Sequence, residues 1–203
     1  MTIIQDIHPR TIASAYLEKT PLGQAIEEFE KNNYHIASLK EIAGLRIQEG
    51  KDSDVSTSRV FASEGLISFP DGGYFLTRKS PIIANPEQVA NCLKKRDKFY
   101  LTNKQVEEAL ENSFKLKGVG EILTFSFGLH SETRNFFEEY AVQYGGFLNK
   151  LGIERMPIHF DTGYPPKERP YVRPVFLKSI ASSSEIYAGE LKDIEDVRGI
   201  LNT

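Results

Sequence analysis

One cysteine, Cys92, is all the chain has, so no intrachain disulfide is available and no cysteine cluster exists to hold a structural zinc. Its four histidines, at 8, 35, 130 and 159, show no short paired spacing, although His159 and Asp161 would share a face of a strand. No apolar run approaches the roughly twenty residues of a membrane span. The segment Met1 to Arg10 has no cationic lead followed by an apolar stretch. A glycine-rich phosphate-binding loop and an Asn-x-Ser/Thr acceptor are also missing. These absences exclude a disulfide-stapled or zinc-organised scaffold and give the expectation of a soluble, cytoplasmic protein with no membrane partner. The formal net charge of −3 argues against a whole-surface grip on nucleic acid and leaves room for a local basic patch.

What is present is the composition of an ordinary globular chain: 203 residues, 40% hydrophobic and 26% charged, enough to bury a proper core. Thr20-Pro21 reads as a helix start, with Leu22, Ile26 and Phe29 on one face. Ser38-Leu-Lys-Glu41 is a capping box, and the helix it opens runs to Gly50. Val55 to Ala62, β-branched and small polar without helical spacing, leans towards a strand. Leu66 to Thr77 predicts an antiparallel hairpin turning at Pro70-Asp-Gly-Gly73. Asn85-Pro86 and the capping-box spacing Thr102 to Gln105 predict two more helices. Val172 to Ile180 reads as a strand whose Pro174 points to a sheet edge, Glu185 to Ala188 as another, and Asp193 to Leu201 as a short helix. The two glycines of Lys115 to Gly120 mark the best candidate boundary, so the reading is one domain with a division into 1–117 and 121–203 left open.

Residues 121–161 are the most informative stretch. An apolar run to Phe127, the turn Gly128-Leu-His130-Ser131, an amphipathic pattern over about 132–151 and a second apolar run ending at Asp161 read as strand, turn, helix, strand. If the strands are parallel neighbours, the turn and Asp161 open onto the same sheet edge, where α/β units bind ligands. His130, Ser131, Thr133 and Arg134 would then join Asp161 around an anion at the helix start. Gly145-Gly146 inside the helix marks a close backbone approach or a kink.

Two further constellations carry chemistry. Asp161 followed by Glu190-Leu-Lys192, with the last two on one face of a strand, is the pattern of acids and lysine used by metal-dependent nucleases. The order of helix 22–31, helix 39–48, a polar segment and hairpin 66–77 resembles the layout of winged-helix nucleic-acid binders, with 55–62 as recognition helix and the hairpin as wing. Val-Ser-Thr-Ser-Arg-Val is poor helix material for that role. Basic residues also gather at Lys94 to Lys98 and between Tyr164 and Lys178, the latter interleaved with tyrosines.

The expectation is therefore an α+β protein: a helix-rich N-terminal segment, a mixed sheet with a hairpin at 66–77, and a strand-helix-strand unit at 121–161. Functionally it reads as a non-catalytic binding protein for an anionic ligand, a nucleic acid or a protein partner, with His130, Ser131, Arg134 and Asp161 as ligand contacts. The alternatives are a phosphoester hydrolase or nuclease built on Asp161, Glu190 and Lys192, and winged-helix binding. No motif names a cofactor, a metal or an oligomeric state.

Overall fold

The computed structural model describes residues 4–6, 12–116, 120–160, 168–194 and 197–202, with residues 4–6 and 182 in backbone alone. The first half runs β1 (Ile4–Asp6), β2 (Ser14–Leu17), α1 (Leu22–Lys31), β3 (Tyr34–Ile36), α2 (Leu39–Glu49), α3 (Asp54–Thr57), β4 (Val60–Ser68), β5 (Tyr74–Thr77), α4 (Pro81–Ala84) and α5 (Pro86–Lys95). The second runs β6 (Phe99–Tyr100), α6 (Asn103–Leu110), β7 (Ser113–Lys115), β8 (Gly120–Leu123), α7 (Ser131–Phe137), α8 (Ala141–Lys150), β9 (Arg155–His159), β10 (Tyr171–Leu177), β11 (Ile186–Ala188) and β12 (Val197–Leu201). This is an α+β fold with the expected hairpin, β4 pairing antiparallel with β5.

Local chemistry sets several boundaries. Ser38 and Glu41 form the reciprocal capping box of α2, and Thr102 and Gln105 do the same for α6. Helix α2 ends at Gly50, whose φ of 85° a side chain would resist. At α1 the cap position falls on Pro21, and the Thr20 hydroxyl donates to Glu18 O instead.

Two sheets result. The smaller has the order β1-β2-β12-β3, antiparallel throughout. The larger follows the path β7-β5-β4-β10-β11-β9-β8, with β6 beside β10, and only β9 and β11 pair in parallel among the described strands. Laid flat, six strand spacings would separate β7 from β8 by about 29 Å. The chain joins Lys115 to Gly120 in five residue steps, which reach at most about 18 Å. The sheet must therefore curl until its edges approach. Its concave side, with α2, α7 and α8, holds one core that includes Leu66, Leu76, Leu116, Ile122, Tyr144 and Ile158. The other face packs Phe61, Val172 and Phe176 against α1, α5 and the smaller sheet in a second core.

An irregularity in β4 ties the sheets together. Pro174 lies opposite Gly65 but Val175 lies opposite Ala62, so Ser63 and Glu64 bulge out of the ladder. Ser63 N donates to Ala37 O at 2.8 Å, and Ala37 N donates to Arg198 O of β12 at 2.9 Å. The Glu64 carboxyl group, only 5% exposed, accepts from Leu39 N at the start of α2. Gly65 is required here, because a Cβ would stand 2.5 Å from Ser80 Oγ and 2.9 Å from Val172 Cγ2.

Several local expectations are corrected. Residues 55–62 are no continuous strand: Asp54–Thr57 form one helical turn and β4 starts at Val60. That turn is gathered by Arg46, which reaches the carbonyls of Val55 and Ser58. Without a recognition helix, and with the hairpin built into the large sheet, the winged-helix layout does not hold. Pro174 sits in an interior strand, where the bulge removes the need for its missing N–H and its carbonyl accepts from Gly189 N at 2.9 Å. Residues 197–201 are a strand, not a helix, since β2 and β3 supply ladders on both flanks. The 132–151 helix breaks at Glu138, whose φ is 46°, and Lys40 and Arg78 hold that carboxylate at 3.0 and 3.1 Å. Gly145 marks a close approach, to Thr124 O and the Phe127 ring, rather than a kink.

Most consequentially, β8 and β9 are antiparallel, with Leu123 opposite Arg155 and Gly120 opposite Ile158. The 128–131 turn and the segment after His159 leave opposite ends of that pair.

Candidate functional site

The residues expected at the sheet edge serve their own turn in the structure. His130 occupies the cap position of α7, the Ser131 hydroxyl lies 2.9 Å from Glu132, and Arg134 Nε donates to Gly128 O at 2.5 Å. Thr133 donates to the carbonyls of Phe127 and His130. Asp161 lies outside the described residues. Glu190 and Lys192 sit on a 3-10 turn instead of a strand, and they pair with each other at 2.8 Å while well exposed. That contact holds the Glu190 carboxyl below and the Lys192 ammonium above their ordinary ranges. Among the described residues no group of three His, Cys, Asp or Glu side chains could hold a metal ion.

Polar groups converge instead at the seam between the two sheets. A cleft of about 240 Å³ is lined by Tyr16 and Arg198 from the smaller sheet and by Asp54, Ser58 and Arg59 from the run into β4, with Glu18 at one side. Tyr16 and Arg198 are register partners in neighbouring strands. The guanidinium carbon lies 5.3 Å from the ring centroid, Nη1 donates to Ser14 Oγ at 3.0 Å, and this arginine is 5% exposed. Across the cleft, Arg59 lies 5.1 Å over Phe176, and its two Nη atoms donate to Tyr187 Oη at 3.3 Å and Asp193 O at 2.9 Å. A guanidinium within about 6 Å of a ring centroid is attracted by the ring's quadrupole, which helps to hold it in place.

The position of Arg59 depends on Arg46, whose side chain is completely buried. Its donors reach three carbonyls, of Val55, Ser58 and Leu177, and the hydroxyls of Tyr144 and Ser184. Three carbonyl dipoles and two hydroxyls thus solvate this buried cation, and they fasten α3 and the end of β10 to α2.

Beyond Arg59 the large sheet supplies one transverse row. Phe61, Phe176, Tyr187 and His159 are successive register partners across β4, β10, β11 and β9. Phe176 and Tyr187 stack with centroids 5.3 Å apart. Burial pushes the Tyr187 phenol up, so its proton is retained, with Arg59 pulling the other way. Lys178 Nζ hangs 4.9 Å over the Tyr187 ring and pairs with Glu185 at 2.5 Å. Glu185 also lies 2.8 Å from His159 Nδ1, leaving the outer half of that exposed imidazole towards solvent. Phe61 and Phe176 are buried in the second core, so the surface here is the partly exposed Tyr187 ring with Arg59, Lys178 and His159 around it, and the buried Glu185 carboxylate between the last two. None of Arg59, Arg198, Tyr187 or Lys178 belongs to a sequence motif. The available hints were the strand character of 185–188 and the basic tract that ends at Lys178.

No family model and no curated protein matches the chain. It is similar to a solved structure described as "Accommodation of massive sequence variation in Nanoarchaeota by the C-type lectin fold", with a TM-score of 0.66 and 16% identity over 97% of this chain and 99% of that one. At that identity the likeness extends to the fold alone. No helix among the described residues is long and apolar enough to cross a membrane.

Proposed function

We propose that the chain is a non-catalytic binding protein and that the cleft between the two sheets receives the anionic group of its ligand. The observation that carries this reading is the pair of guanidinium groups, Arg59 and Arg198, contributed by different sheets to one cleft. Both are backed by aromatic rings, an arrangement suited to bidentate recognition of a carboxylate or phosphate. Glu18 and Asp54 beside them limit how far negative charge can extend, which favours a compact anionic group. The likeness to a fold described as accommodating massive sequence variation supports the use of this scaffold for recognition.

Two weaker proposals remain. An anion at His130, Ser131, Arg134 and Asp161 would compete with the hold of Gly128 O on Arg134. A hydrolase using Asp161, Glu190 and Lys192 lacks the strand alternation that would aim the last two at one metal.

Titration calorimetry with inorganic phosphate and with succinate tests the cleft. Losing one charge-assisted contact costs about 1.5–3 kcal/mol, so Arg59→Ala is expected to weaken binding by roughly 10- to 100-fold. Arg155→Ala, an exposed arginine paired with Glu121, serves as control and should change nothing. Equal binding by wild type and Arg59→Ala, or no binding of either anion by the wild type, rules the cleft out.

A further inference from the structure

A second surface departs from the charge balance of the whole chain. Around the C-terminal end of α5, β6 and the start of β10, six cations, Lys94, Lys95, Arg96, Lys98, Arg169 and Arg173, face three acids, Asp97, Glu168 and Glu190, in a protein whose net charge is −3. All but Arg173 among the cations are exposed. No ion pair among the described residues involves Lys94, Lys95, Arg96, Lys98 or Arg169. These five cations thus have no acidic partner at ion-pair distance, while Arg169 also donates to Leu101 O at 3.4 Å.

Contacts show that the group is one surface. Tyr100 and Tyr171 are register partners with ring centroids 6.3 Å apart, edge to face. Lys98 Nζ lies 4.5 Å over the Tyr171 ring and Arg169 Cζ 5.8 Å from the Tyr100 ring. Glu190 feels the charges of both Arg173 and Lys98, which joins the far side of the patch to the near one. Arg96, in a left-handed conformation with φ 55°, ends α5 and turns the chain from Lys94-Lys95 into Lys98. The helix end alone would account for cations within α5. It does not account for Arg169, which arrives from another part of the chain, or for the two tyrosines between the arms.

We propose that this corner binds the backbone of a single-stranded nucleic acid, the five cations without ion pairs taking phosphates and half-buried Tyr100 offering its ring to a base. Cations from two parts of the chain around the partly exposed Tyr100 ring, with Tyr171 buried behind it, match a flexible strand, in which phosphates and bases are presented side by side. A membrane surface fits less well: Leu93 is the one exposed large apolar side chain adjoining the patch among the described residues, too little to anchor in lipid. The inference stands apart from the cleft, which shares none of these residues.

Fluorescence anisotropy with a labelled twenty-nucleotide deoxythymidine oligomer tests it. With about four to five phosphate contacts, log K should fall against log salt with a slope of roughly −3. The exposed triple reversal Lys94→Glu/Lys95→Glu/Lys98→Glu should weaken binding by at least about 100-fold and flatten that slope by about 2. Lys104→Glu, on α6, should leave affinity unchanged; circular dichroism verifies that each variant is folded. Absence of saturable binding by the wild type at 50 mM salt overturns the proposal, as does a triple variant within twofold of wild type. Tighter binding to vesicles containing phosphatidylserine than to the oligomer overturns it in favour of a lipid surface.

Discussion

Replacing Glu64 with glutamine isolates the effect of one buried carboxyl on stability. Burial raises this group from 4.5 to about 8, against the opposing pull of the Leu39 N–H and of Arg78, while Glu41 adds to the rise. The folded protein therefore keeps Glu64 protonated at pH 7, whereas the unfolded chain ionises it above about 4.5. Between those values the unfolded state has released a proton that the folded state retains, so stability falls as pH rises. The contribution is fully present below pH 4.5 and is lost on passing through pH 8. At about 1.4 kcal/mol per pH unit, the loss across the interval is roughly 3–5 kcal/mol, much of the stability of an average domain. Glutamine has no proton to exchange, and its carbonyl oxygen can accept from Leu39 N in place of the carboxyl oxygen. Urea unfolding of both proteins at pH 5, 6, 7 and 8 should show curves that diverge, the variant gaining about 1 kcal/mol on wild type with each unit. Two parallel curves, separated by a constant offset, would refute the claim that Glu64 is held neutral in the fold.

Other substitutions probe the packing that presents the cleft. Arg46→Leu takes the donor away from three carbonyls and leaves the Tyr144 and Ser184 hydroxyls with each other, 2.6 Å apart; it should cost about 3 kcal/mol or more, read as a drop in urea midpoint, and a change below about 1 kcal/mol contradicts its role as a hub. Gly65→Ala places a methyl against Ser80 and Val172 and should destabilise by about 1–3 kcal/mol, with a neutral effect on thermal unfolding counting against the tight bulge. Ser38→Ala removes one half of the α2 capping box for about 1 kcal/mol, and Thr102→Ala should act similarly on α6; chemical denaturation of the pair of single variants checks both.

What the amino acids reveal by themselves follows the range of the interactions concerned. The capping boxes at Ser38 and Thr102 were legible because donor and acceptor lie within one helical turn. The hairpin was legible because Pro70-Asp-Gly-Gly73 is turn chemistry between two β-rich runs. By contrast, Val197–Leu201 owes its strand to β2 and β3, whose residues are remote in sequence. The direction of β9 relative to β8 is equally invisible locally, and the edge-site expectation for residues 128–131 depended on it. Arg59 and Arg198 illustrate the same limit for function: each is an unremarkable arginine until the β4 bulge and Ala37 dock one sheet on the other.

The curl imposed by the short link between β7 and β8 also bears on aggregation. An open flat sheet can recruit strands from other molecules without end, since each added strand exposes a fresh edge. Here the end of β7 and the start of β8 are held within about 18 Å, room there for two or three strands at most at the usual spacing of about 4.8 Å. Any strand added at one edge advances towards the other, so recruitment stops as the gap fills. A connection of a few residues thereby makes growth of this sheet into a fibre self-terminating.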